Sequence, residues 1–252
     1  IAKRGVALEM VHFFSYPYTS PEAKEKVLEL NIWEGDKIFF RLLNEDAPFF
    51  SMKLSYEGDR LIYASLEGKE LELLDVLNEE GKDTGMARER SLVHRNGDFH
   101  RTSHIWVARK SEEGKWQVLL QKRSSGKEAY PGCYDCSAAG HVKAGGTCLN
   151  AAVRELEEEL GIQASPQDLE LFFEIREDSR QEYQGVPFRD REFISVYLYR
   201  IPGETPKIVI QEEEVESVCW ADVDRCIQIA RTGELPNCLD VEELEALKAR
   251  LS

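Results

Sequence analysis

The segment Thr147–Gly161 limits the fold more than any other stretch of this 252-residue chain. At roughly 100° per residue, Leu149, Val153, Leu156 and Leu160 fall on one side of a helix that runs from about Cys148 to Leu160 and stops at Gly161. Such a stripe has to bury against another layer, and the neighbouring segments supply one. Strands are expected at Glu70–Val76, His100–Arg109, Trp116–Gln121, Tyr134–Val142, Leu169–Glu177, Glu192–Arg200 and Val215–Trp220. Helices are expected from Asp222 to Arg231 and from Val241 to Leu251. Strands interspersed with a few helices imply an α/β fold in which a mixed sheet packs between helices.

The same helix gathers Glu155, Glu158 and Glu159 on a different side, three and four positions apart, with Ala151 and Ala152 leaving room above them. Like charges at these spacings cost a helix roughly 0.2–0.5 kcal/mol per pair. A divalent cation reverses the sign of that interaction, and rigid carboxylate oxygens suit Mg²⁺ or Mn²⁺, which also accept substrate phosphate oxygens. The alternative is a solvated acidic helix face. The formal net charge of −15 bears on the choice. It disfavours duplex nucleic acid, whose non-specific binding rests on Lys and Arg contacts to phosphate. It would also repel a phosphorylated small molecule unless a metal ion or a local basic cluster intervened. The clearest such cluster is Gln121-Lys122-Arg123-Ser124 with Lys127, where Lys122 and Arg123 are candidates for neutralising substrate phosphate. A solvated hairpin end is the equal alternative there. Gln211–Glu214 reads as a solvated acidic loop, from which one Glu can reach a metal.

Gly140-His141-Val142-Lys143-Ala144-Gly145-Gly146 precedes the helix, and Arg154-Glu155-Leu156-Glu157-Glu158-Glu159-Leu160-Gly161-Ile162 completes it. Together they resemble the Nudix box, G-x5-E-x7-R-E-U-x-E-E-x-G-U with U apolar, at every fixed position except the first Glu, which is Gly146 here. The resemblance implies a Nudix-type α/β/α sandwich and a metal-dependent hydrolase that cleaves a diphosphate linkage in a small molecule. It implies Glu155, Glu158 and Glu159 as metal ligands, Glu155 also as a base, and Arg154 as the partner that orients a carboxylate. The Glu absent at Gly146 supports the metal site in that family through a secondary contact.

The likeness covers about residues 70 to 250, and its details point to one branch. His94–Arg101, Tyr130–Asp135 and Ser137–His141 look like the isopentenyl-diphosphate-isomerase-like Nudix proteins. True isomerases place a cysteine directly before the Gly-His pair to move a proton at the allylic carbon; that position is Ala139 here. The positions matching the isomerases' further metal ligands are His100, His141, Asp190 and Glu192. Many Nudix enzymes also place an additional metal ligand or a base for the attacking water where Glu192 stands. His141 is a candidate for metal or phosphate, with a structural loop role as the alternative. The substrates in reach are a nucleoside diphosphate derivative or an isoprenoid diphosphate. The alternatives are isopentenyl-diphosphate isomerase and a catalytically weakened diphosphate-binding module.

Residues 69–252 are therefore expected to form the hydrolase domain, preceded by a small strand-rich extension over 1–68. In that extension Leu8–Phe14, Lys37–Leu43, Phe49–Leu54 and Arg60–Ala64 read as strands and Pro21–Leu30 as a helix. The stretch from Lys3-Arg4-Gly5 to Lys24-Glu25-Lys26-Val27, including His12-Phe13-Phe14-Ser15-Tyr16-Pro17-Tyr18, resembles part of the PP-loop domain of ThiI-type tRNA thiolation enzymes. It implies no adenylating activity, because that family's Ser- and Gly-rich ATP-binding loop is not among these residues. No apolar run is long enough to span a membrane, and no secretory leader pattern opens the sequence, so a cytoplasmic location is expected, with a homodimer as one expected assembly. The six cysteines, scattered through a charge-rich chain, read as reduced thiols rather than a disulfide framework.

Overall fold

The computed structural model describes residues 7–10, 26–127, 129–183 and 186–252. Most of the PP-loop-like stretch, the part Val11–Phe14 of the first expected strand and the part Pro21–Glu25 of the expected helix lie outside these residues; Lys26–Glu29, the described part of that helix, are helical. The chain divides into two compact units: residues 1–100 with 143–145, and residues 101–142 with 146–252.

In the first unit, β1 (Ala7–Met10), β2 (Met52–Glu57), β3 (Arg60–Leu66) and β4 (Lys69–Glu70) form an antiparallel sheet in chain order. The expected strand over Lys37–Leu43 is instead part of a helix, α1 (Glu34–Asn44). Its aromatic residues favour strands in isolation, but Ile38, Phe39 and Leu42 share one helical face and pack with Met52, Leu54, Leu61 and Ala64. Gly35 lets α1 approach the sheet: a Cβ there would lie 2.4 Å from Leu54 Cδ1 and from the Tyr56 hydroxyl oxygen. The hairpin β5 (Leu73–Leu77) and β6 (Asp83–Glu89) follows, so part of the expected polar turn Asn78–Gly85 is strand. A short helix, α2 (Arg90–Asn96), has no counterpart in the sequence reading.

The second unit is built on β7 (Phe99–Lys110, of which residues 101–110 belong here), β8 (Trp116–Arg123), β9 (Tyr134–Asp135), β10 (Ala138–His141), β11 (Leu169–Tyr183), β12 (Val186–Arg200) and β13 (Val215–Asp222). Side chains alternate across a strand, and here the alternation sorts into two cores. Trp106, Ala108, Val118, Leu120, Ile194, Val196 and Leu198 face α4 (Val223–Thr232) and α5 (Val241–Leu251), where Val223, Cys226, Ile227, Leu244 and Leu247 meet them. Their neighbours Ile105, Val107, Leu119, Tyr197 and Tyr199 face the opposite way and meet Ala152, Leu156 and Leu160 of α3 (Cys148–Leu160). Helices therefore cover both faces of one sheet, the expected α/β/α sandwich.

Two local expectations need correction. Ala152 does not stand above the carboxylates; it is fully buried in the apolar contact of α3, while Leu149 and Val153 lie at the margin of that contact. The single strand expected over Tyr134–Val142 is broken into β9 and β10. At the break, Asp135 accepts from Cys136 N at 2.8 Å. Ser137 Oγ accepts from Val107 N and donates to Leu119 O, at 2.8 and 2.6 Å. Side chains thus take over the ladder's hydrogen bonds for two residues. All six cysteines are free thiols.

Candidate active site

Helix α3 starts and stops on local chemistry. Thr147 caps it, its side chain accepting from Asn150 N at 3.2 Å. Gly161 ends it in the left-handed conformation, φ 67°, its N–H donating to Glu157 O while Ile162 N donates to Leu156 O. Between these ends, β10 lies directly against the helix. A Cβ on Gly140 would sit 2.0 Å from Glu155 Oε1, so only glycine leaves room for this carboxylate.

The three box carboxylates occupy different environments. Glu155 is buried and pairs with Arg154 at 2.7 Å. Arg154 also donates to Glu158 at 2.9 Å and to the carbonyl oxygen of His141 at 3.0 Å, so it ties the helix to β10 as it orients the carboxylates. Glu158 is half exposed. Glu159 is only 5 % exposed, and its Oε2 accepts from Ala139 N at 3.2 Å and from Gln121 Nε2 at 3.3 Å. Burial, then the charge of Glu155, pushes the Glu159 carboxyl up to about 8, against the opposing pull of Lys127 and the Ala139 N–H. A carboxylate pair in that condition is what a hard divalent cation relieves, and the all-oxygen donor set fits Mg²⁺ or Mn²⁺.

Glu192 lies on the other face of the sheet, the side of Ile194 and Val196. It is buried and accepts a hydrogen bond from the Thr102 hydroxyl. His141 Nε2 stands 4.0 Å from Glu192 Oε1. Of the positions matched to the isomerases' further metal site, His141, Asp190 and Glu192 belong to this unit, whereas His100 belongs to the first. Glu177, the cross-strand partner of Glu192, was not anticipated; desolvation and the charges of Glu192 and Asp190 push it up to about 7. His104 likewise carries no signal in the sequence. Burial works to lower its pKa, yet the Glu243 carboxylate, 3.0 Å away, carries it up to about 10.

The basic cluster is internally paired. Lys122 meets Glu216 at 2.5 Å, Arg123 meets Asp135 at 3.0 Å and also donates to Ala129 O, and Lys127 pairs with Glu214 of the acidic loop. These contacts join β8 to its neighbours, which the sequence showed only as a row of positive charges. Gln121 belongs to that row in the sequence, yet it is buried against Glu159.

The NUDIX domain profile matches residues 98–236, more than half of the chain. The chain belongs to the Nudix family. Nudix hydrolases cleave pyrophosphate bonds in nucleoside diphosphate derivatives and generally use Mg²⁺ or Mn²⁺, and this protein is a Nudix-type hydrolase. It is 40 % identical to Nudix hydrolase 3 of Arabidopsis thaliana over 149 residues, which is 58 % of this chain but 19 % of that much longer protein. A Nudix hydrolase of Clostridium acetobutylicum is 37 % identical over 155 residues, covering 62 % of this chain and 72 % of that one. The crystal structure of the DR0079 protein of Deinococcus radiodurans shares the fold, with a TM-score of 0.53 at 19 % identity over 69 % of this chain and 98 % of that one. Among the described residues of this Nudix protein, no helix is long and apolar enough to cross a membrane.

Proposed function

We propose that this Nudix hydrolase cleaves the diphosphate linkage of a nucleoside diphosphate derivative, with a divalent cation held by Glu155, Glu158 and Glu159. The supporting observation is the burial of Glu159 beside Glu155, which raises its carboxyl to about 8 and calls for a compensating cation. When bound, the cation supplies charge neutralisation on the diphosphate and acidifies a water. Arg154 orients Glu155 and Glu158 from one guanidinium. Glu155 accepts the proton from the attacking water; Glu192, the other base candidate the resemblance offers, stands on the opposite face of the sheet. Lys122, Arg123 and His141 are the groups offered to substrate phosphates; for Lys122 and Arg123 this means competing with Glu216 and Asp135. The likeness to the isopentenyl-diphosphate-isomerase-like branch makes an isoprenoid diphosphate the second substrate class to test. Isomerisation itself is not proposed, since the Ala139 side chain has no proton to exchange.

Residues 69–252 carry this activity in the same reading, with 1–68 as an extension to a cytoplasmic enzyme. A panel of nucleoside diphosphate derivatives and isoprenoid diphosphates with Mg²⁺ and Mn²⁺, followed by phosphate release and mass spectrometry, identifies the substrate. Glu159→Gln, and similarly Glu158→Gln, abolishes metal-dependent turnover while the far-ultraviolet circular dichroism spectrum is retained. Full activity in either folded variant removes the mechanism.

A further inference from the structure

Gln121 breaks the pattern of β8. Val118 and Leu120 face the core under α4 and α5, and Leu119 faces the core under α3. Alternation puts Gln121 on the α3 side, where another apolar residue would extend that core. A carboxamide stands there instead, at 2 % exposure. Burying an amide without a partner is costly, so its partner carries the explanation. Nε2 donates to Glu159 Oε2 at 3.3 Å, and the Ala139 N–H of β10 donates to the same oxygen at 3.2 Å. Two strands thus converge on one carboxylate oxygen of the helix. The Gln121 backbone is itself held between Val218 of β13 and Asp135 of β9.

We infer that Gln121 is a positioning residue that clamps Glu159 Oε2 and leaves Oε1 to meet the cation. The amide has the right chemistry for that task. It donates a hydrogen bond without bringing a charge, whereas Lys or Arg at this place would compete with the cation and Glu would repel the carboxylate. A pinned carboxylate also suits Mg²⁺, which demands near-ideal octahedral geometry. The inference rests on Glu159 being a metal ligand, and the experiment separates the two.

Mn²⁺ binding, read by electron paramagnetic resonance without substrate, is compared in the wild-type protein, Glu159→Gln and Gln121→Met, with melting temperatures alongside. Wild type binds, Glu159→Gln loses the site, and Gln121→Met, similar in shape but without the donor, binds about tenfold more weakly, as expected for one hydrogen bond to a charged acceptor. Turnover of Gln121→Met recovers at saturating Mn²⁺. If wild type does not bind Mn²⁺, or Glu159→Gln binds it equally well, the metal site falls and the inference with it. If those two behave as expected and Gln121→Met binds like wild type, the inference alone is overturned. Should Gln121→Met fail to fold, the assigned side-chain amide resonances of Gln121 in the wild-type protein decide: titration with Mg²⁺ shifts them, and unmoved resonances at saturation overturn the clamp.

Discussion

Replacing Gly140 by alanine perturbs the site by a single methyl group whose effect follows from the structure. Gly140 does not have a positive φ, so alanine meets no backbone penalty there. The obstacle is space: the new Cβ would lie 2.0 Å from Glu155 Oε1, 2.2 Å from Cδ and 2.8 Å from Cγ. A carbon–oxygen contact settles near ~3.3 Å, so the carboxylate has to retreat by about 1.3 Å relative to β10. The atoms that move are the end of a side chain, so the fold survives with a change in stability of about 1 kcal/mol or less. The retreat does reach the Arg154–Glu155 ion pair, 2.7 Å in the native arrangement. Displacement of a reacting or orienting group by about 1 Å costs on the order of 100-fold in rate. Gly140→Ala is therefore expected to lose about two orders of magnitude in kcat/KM, with weaker Mn²⁺ binding and a nearly unchanged melting curve. Steady-state kinetics, electron paramagnetic resonance and calorimetry on the same preparation measure all three. Native kinetics and Mn²⁺ affinity in a folded Gly140→Ala would refute the close-approach argument.

The other expectations concern the box position that departs from the motif and the protonation of Glu159. Gly146 is exposed and, unlike Gly145 at φ 77°, is not among the positive-φ glycines, so Gly146→Glu enters without that strain. One charge-assisted hydrogen bond from the new carboxylate, worth roughly 1.5–3 kcal/mol, should tighten metal binding about tenfold or more at an unchanged melting temperature. Equal Mn²⁺ affinity and turnover in the two proteins would show that the missing carboxylate was never limiting. For pH, burial and the charge of Glu155 push the Glu159 carboxyl up to about 8 in the folded protein, against about 4.5 for an ordinary glutamate. The native state then holds the extra proton, so this group's contribution to stability is fully present below about 4.5 and is lost as pH rises through about 8. Without metal, the melting temperature of wild type should fall more steeply than that of Glu159→Gln between pH 5 and 8; parallel profiles would contradict the burial of an ionisable Glu159.

Much of the second unit was legible because its patterns are redundant. The apolar positions Leu156 and Leu160, the strands expected at His100–Arg109 and Trp116–Gln121, and the stop at Gly161 each pointed to the same layers, and all are found. Legibility failed where a side chain competes with the backbone or where tertiary packing overrides propensity. Ser137 and Asp135 interrupt a run that reads as one strand, because their oxygens replace ladder partners. The aromatic run in α1 becomes helical because a sheet waits for Ile38, Phe39 and Leu42. The site divides in the same way. Spacing placed Glu155, Glu158 and Glu159 together, but it could not tell that Glu159 is buried and Glu158 half exposed, since that depends on β8 and β10 rather than on the helix.

The charge balance now has a local answer. A chain with a net charge of −15 has little positive field to spare for an acidic substrate, and the row of Lys122, Arg123 and Lys127 is already engaged with Glu216, Asp135 and Glu214. Those residues therefore leave much of the burden of holding a diphosphate to a cation, and the only box carboxylates that burial primes for one are Glu155 and Glu159. Their burial has a further consequence. A half-exposed ligand such as Glu158 is screened by water and can relax, whereas Glu159, sealed beneath Gln121 and Ala139, meets a cation with little freedom to adapt. Loss of a carboxylate oxygen at Glu159 should therefore cost more metal affinity than the same loss at Glu158.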